Sequence, residues 1–99
     1  MYEIVFAEGV ATDLASVTAR QRAMILDRIE IQLSDEPTRP TRNRKVLVGL
    51  IPPWDQMEPV WELRIGEYRA FYDVVEVEMR VIVRAIRHKP PHKTTEEIL

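Results

Sequence analysis

The chain contains no cysteine, which excludes a disulfide framework, a thiol nucleophile and cysteine-ligated metals. Its three glycines form no glycine-rich phosphate loop, and no serine stands in a nucleophile elbow. The two histidines, His88 and His92, are four apart but are separated by Pro90-Pro91. Those prolines forbid the helix that would aim two imidazoles at one ion, so no metal site is expected. No stretch approaches the ~20 apolar residues of a membrane span. The opening residues, Met1 to Phe6, lack the basic region of a secretory signal. These absences lead to the expectation of a cytoplasmic protein that uses neither a membrane nor a cofactor.

Neither sign of charge dominates. Fourteen basic and sixteen acidic side chains give a net charge of −2, an argument against a dedicated nucleic-acid binder, whose footprint is basic overall. The distribution is more informative than the total. Residues 1–38 hold three basic and seven acidic side chains, a net of −4. Arg39, Arg42, Arg44 and Lys45 then give +4 without an acid between them. Arg80, Arg84, Arg87, Lys89 and Lys93 give +5 in an acid-free stretch. A basic face can therefore exist on an acidic chain.

Ninety-nine residues fit one domain spanning residues 1–99, large enough for a core without staples. Alternation marks a short strand over Tyr2–Ala7. Val10–Val17 reads as a first helix. Thr18, with Gln21 three residues on, is a capping-box start for a second helix running to about Ser34. Ile25, Leu26, Ile29 and Leu33 form its apolar stripe, and Pro37 and Pro40 end it. Five of the seven prolines fall in residues 35–59, around an apolar stretch, Lys45–Ile51, expected to be a strand. Trp54 in the following loop is expected to fold back onto the core. Val60–Ile65, Tyr68–Val75 and Met79–Arg87 read as a meander, and residues 94–99 as a helical turn or ordered tail. The fold class expected is α+β, with an N-terminal strand, a helical hairpin and an antiparallel meander. The helices should pack on one face of the sheet and leave the other free.

Residues 61–72, Trp-Glu-Leu-Arg-Ile-Gly-Glu-Tyr-Arg-Ala-Phe-Tyr, carry the strongest functional signal. Gly66-Glu67 suits a type II′ turn, which sets Arg64 opposite Arg69, Leu63 opposite Ala70 and Trp61 opposite Tyr72. Like charges directly opposed destabilise a sheet, so facing arginines beside Phe71 point to a surface that meets an anion such as phosphate. Ordinary solvated arginines are the competing reading. On the last strand, Arg84, Arg87 and Lys89 extend the basic character, and a bulge at the strand end would bring His88 into the same cleft. Such a cluster fits a phosphodiester and a stacked base. An edge strand guarded by positive charge fits equally well.

The stretch Val60-Trp-Glu-Leu-Arg-Ile-Gly-Glu-Tyr-Arg-Ala-Phe-Tyr-Asp73, with Ile86-Arg-His-Lys89 after the next strand, resembles the RelE/ParE family of bacterial toxin–antitoxin toxins. Leu47-Val-Gly49 matches a Leu-x-Gly of the family, and the likeness covers nearly the whole chain. The resemblance implies a cognate antitoxin as partner, in a toxin–antitoxin hetero-oligomer. It implies one of two activities: ribosome-dependent cleavage of mRNA, or inhibition of DNA gyrase by binding. A degenerate toxin that only binds its antitoxin is a third reading. Under the ribonuclease reading, Arg69, Arg64, Glu62, His88 and Lys89 are the implied catalytic residues. Arg87, Arg84 and Phe71 are the implied substrate contacts, and the ribosome and mRNA are further partners. The chain departs from one branch of the family, which has lysines where Val60 and Glu62 stand here. That branch also has a C-terminal tyrosine, near whose place Ile98 and Leu99 stand here. Glu62 is then the candidate general base, with His88 or His92 as candidate acid.

Overall fold

Two patterns of apolar residues, one of period two and one of period 3.6, meet in the core. The computed structural model describes residues 1–99. It comprises β1 (Glu3–Phe6), α1 (Glu8–Ala15), α2 (Ala19–Leu33), β2 (Arg44–Val46), β3 (Trp61–Ile65), β4 (Tyr68–Val75), β5 (Arg80–His88) and α3 (Thr95–Ile98). The sheet order is β1-β5-β4-β3-β2, with β1 parallel to β5 and every other pair antiparallel. Val10 of α1 and Ile25, Ile29 and Leu33 of α2 pack on Trp61, Leu63, Ile65, Ala70, Tyr72, Val81, Val83 and Ile86. The helical hairpin thus covers one face of the sheet, as the periodicity predicts. No helix is long and apolar enough to cross a membrane.

Local chemistry sets the joints. The Thr18 hydroxyl accepts from the Gln21 amide at 3.1 Å, and the Gln21 side chain accepts from the Thr18 amide at 3.2 Å. This reciprocal cap fixes where α2 starts. Arg22, on the first turn of α2, donates to the carbonyls of Leu14 and Val17 and so closes the hairpin. At the far end, Tyr72 donates its hydroxyl to the Pro37 carbonyl at 2.6 Å, tying the end of α2 to the sheet. Burial pushes the Tyr72 phenol well above its ordinary range, with Arg44 pulling weakly the other way.

Two expectations and one competing reading need correction. The strand expected over Lys45–Ile51 is confined to Arg44–Val46. Leu47 still donates to Val60, but Gly49 turns the chain away at a φ of +77°. The strand β5 is not an edge: it lies between β1 and β4. Beyond the end of β1, the Ile86 amide is capped by the Asp13 carboxylate at 2.9 Å, so positive charge is not what protects it. Finally, the outer sheet face is not free. Trp54 packs on Phe71 with ring centroids 5.3 Å apart, as expected of a loop tryptophan folded inward. The Met57 amide donates to Asp73 at 3.1 Å, and α3 covers part of the remainder.

Asp73 is the fastening point of this cover. It is 1% exposed and accepts two bonds from Arg84, at 2.7 and 3.2 Å, besides that of Met57. Removing one partner of such a pair leaves a buried charge uncompensated. Asp73→Ala is expected to destabilise the fold by about 3–5 kcal/mol, read from the urea midpoint at unchanged slope. A loss below 1 kcal/mol would show that the loop is held by Trp54 alone.

Candidate anion-binding site

The β3–β4 turn is built as the sequence predicts. Gly66 takes a φ of +58°, open to glycine without steric cost. Arg64 faces Arg69, Leu63 faces Ala70 and Trp61 faces Tyr72. Arg69 is nearly buried, and its Nη1 donates to the carbonyls of Gly66 and Tyr68, both at 2.8 Å. One end of the guanidinium is therefore anchored, and its remaining donors stay available. Burial lowers the Arg69 pKa; Glu62 opposes the shift and Arg64 adds to it. The group remains a cation at neutral pH, but one that has lost hydration and gains from an anion.

Neighbouring segments add to this corner. The Arg64 amide donates to the Asn43 carbonyl at 2.7 Å, bringing Arg42 and Lys45 alongside. The Lys89 amide donates to Glu67 at 2.6 Å, fixing Lys89 beside the turn. The result is a cleft of about 250 Å³ lined by Arg42, Asn43, Lys45, Glu62, Arg64, Arg69, Lys89 and Thr95, without an apolar side chain. Five cations thus surround one carboxylate. Glu62 is 3% exposed; Lys45 lies 3.4 Å from one of its oxygens, and the Thr95 hydroxyl donates to the other at 2.8 Å. The cleft therefore carries a strong excess of positive charge, suited to a phosphate-sized anion.

Other expected site residues lie elsewhere. His88 is opposite Tyr68, not in the cleft; its ring packs on Tyr68 and its Nε2 lies 3.0 Å from Glu67. The irregularity in β5 falls between the Phe71–Ala85 and Tyr72–Val83 pairs, too early to swing His88 across. Arg87 is opposite Arg69 but bonds Asp13 at 2.9 Å and lies 5.2 Å over the Trp54 ring. Arg84 is committed to Asp73. Phe71 is fully buried beneath Trp54, where no base can stack on it. The cleft thus unites Arg64, Arg69, Glu62 and Lys89 but not Arg84, Arg87, His88 or Phe71. No group of three His, Asp or Glu side chains converges to hold a metal.

A family model described as the ParE toxin of the type II toxin–antitoxin system parDE matches residues 4–89. The chain belongs to this family of toxins. Among solved structures, its fold is similar to the RelBE2 toxin–antitoxin complex of Mycobacterium tuberculosis. That match has a TM-score of 0.69 and 23% identity, over 89% of this chain and 91% of that one. The archaeal RelE–RelB complex of Pyrococcus horikoshii OT3 gives 0.67 and 21%, over 94% and 98%. The isolated RelE toxin of E. coli gives 0.61 and 18%, over 98% and 94%. No curated protein sequence matches significantly.

Within this ParE-family chain, sequence reasoning missed Arg42, Lys45 and Thr95 as site residues. The dense positive charge of residues 39–45 was the available signal for the first two. Nothing in the order of residues signals Thr95, which reaches Glu62 only because α3 folds back. That short helix starts at a second capping box: the Glu97 carboxylate accepts from the Thr94 amide at 2.9 Å and from its hydroxyl at 3.0 Å. These bonds hold the Glu97 pKa below its ordinary value. A carboxylate so depressed favours the folded cap above its unfolded pKa, and the benefit is lost as pH falls through the folded value. The α3 cap is expected to stay intact from neutral pH down past 4.5, the ordinary value, and to open at more acid pH. Amide exchange at Thr94 and Glu97, the two amides of the cap, reads this; protection that persists after Glu97 has titrated would contradict it.

Proposed function

We propose that the chain is a ribosome-dependent mRNA endoribonuclease, partnered by a cognate antitoxin. The observation that carries this reading is the cleft that groups Arg64, Arg69 and Lys89 around the Glu62 carboxylate. Cutting RNA without a cofactor needs a base for the ribose 2′-hydroxyl, cations for the crowded phosphorane and an acid for the leaving oxygen. In the proposed reaction Glu62 takes the 2′-hydroxyl proton, and the 2′-oxygen attacks phosphorus. Arg69 and Arg64 hold the equatorial oxygens. The bond to the 5′-oxygen breaks as Lys89 gives that oxygen a proton. The products are a 2′,3′-cyclic phosphate and a 5′-hydroxyl. Lys89 takes the acid role because His88 faces away, against Tyr68.

The antitoxin partner is proposed from the family and from similar folds solved as RelB–RelE and RelBE2 complexes. Gyrase inhibition is the second reading. The parDE family model favours it, as does the enclosure of Glu62 by Lys45 and Thr95.

Expression without the antitoxin separates the two. Growth arrest with messages cut inside codons is expected, with arrest lost in Arg69→Ala. On programmed ribosomes, removing a preorganised charge of this kind is expected to slow cleavage by about 10²–10³-fold, and Glu62→Gln is expected to slow it as well. Arrest with intact messages and DNA damage signalling would establish the gyrase reading instead.

A further inference from the structure

A second groove, of about 340 Å³, adjoins the anion cleft and shares Asn43 and Arg64 with it. The reaction proposed above leaves it unused. One wall is α2, where Met24, Arg28 and Gln32 line the groove. Recurring every four residues, they stand above one another on one helix face. The other wall is Asn43 with Arg64 and Ile65 at the β3–β4 turn.

Arg28, Gln32 and Asn43 on these walls have uncommitted side chains. Arg28 enters none of the chain's ion pairs. Gln32 and Asn43 use only main-chain atoms in their hydrogen bonds, so both side-chain amides are free. An exposed Met24 adds a polarizable surface that adapts to a flat ring. A guanidinium, two free amides and a thioether are the chemistry that takes one nucleotide of single-stranded RNA. The cation holds the phosphate, the amides meet the base edge, and the thioether lies against the base face.

We propose that this groove is a second RNA subsite, holding the nucleotide that flanks the one whose phosphate sits at Arg64 and Arg69. Arg28 binds the flanking phosphate; Gln32 and Asn43 read the base. An amide presents a donor beside an acceptor, which complements the N6 amino group and ring nitrogen of adenine. The subsite therefore prefers adenine. It rests on the ribonuclease reading, which supplies the RNA strand.

The test is cleavage-site mapping on ribosomes translating a message library, using the full chain. The unaltered protein is expected to enrich adenine at one position flanking the cut. Gln32→Ala and Asn43→Ala should each reduce that enrichment by about tenfold. Arg28→Ala should lower cleavage of all sequences alike, and its log–log salt slope by about one, with Arg28→Lys restoring most of both. Arg20→Ala, elsewhere on α2, should change nothing. Cleavage whose base preference survives both amide variants, or whose rate survives Arg28→Ala, overturns the subsite but not the ribonuclease. No cleavage by the unaltered protein overturns the ribonuclease reading and the subsite with it. Loss of activity through misfolding is recognised by lost helical circular dichroism; a folded Arg28→Lys that fails to recover activity also counts against the subsite.

Discussion

Charges buried on the outer face of the sheet must find partners, because an unpaired ion away from water is costly. Asp73 is matched by Arg84 and the Met57 amide. Glu62 is matched by Lys45 and Thr95. Arg69 is different: its side-chain hydrogen bonds go to two carbonyls and to no carboxylate. With Arg64 across the strand pair, it leaves an unbalanced positive centre at the turn. The fold holds that centre in place by packing Ala70 and Tyr72, either side of Phe71 on β4, into the helical face.

This matching divides the outer face. Towards the end of β4 that carries Asp73, the loop with Trp54 and Met57 closes over it, and charge is neutralised on the spot. Towards the turn, the cover thins to α3, and five cations surround a single carboxylate. The closed half is a stability device, and the open half keeps an excess of positive charge. Arginine serves both, which is why counting basic residues along β5 does not locate the site. Arg84 and Arg87 spend their charge on Asp73 and Asp13, whereas Lys89 does not.

What could be read from the sequence follows from the range of the interactions involved. The capping box at Thr18, the β3–β4 hairpin and its arginine pair are local, and each was legible from a few neighbouring residues. The α+β class and the helices on one face followed from apolar periodicity. The length of β2 was not legible, because Gly49 and the prolines outweigh the apolar character of residues 47–51. The face on which His88 lies depends on where β5 departs from regular register, and no local pattern marks that point. The burial of Phe71 and the reach of Thr95 to Glu62 depend on segments distant in sequence that fold back over the sheet.

The central claim is that phosphate binds at Arg64, Arg69 and Lys89, and not along β5. The direct measurement is a titration of the folded chain with a short single-stranded RNA bearing a 2′-deoxy sugar at the scissile position, following the arginine Nε and lysine Nζ resonances. The account predicts saturable shifts at Arg64, Arg69 and Lys89, with Arg84 unmoved in its pair with Asp73. Shifts centred on Arg84, Arg87 and His88, with Arg64 and Arg69 unchanged, would contradict it.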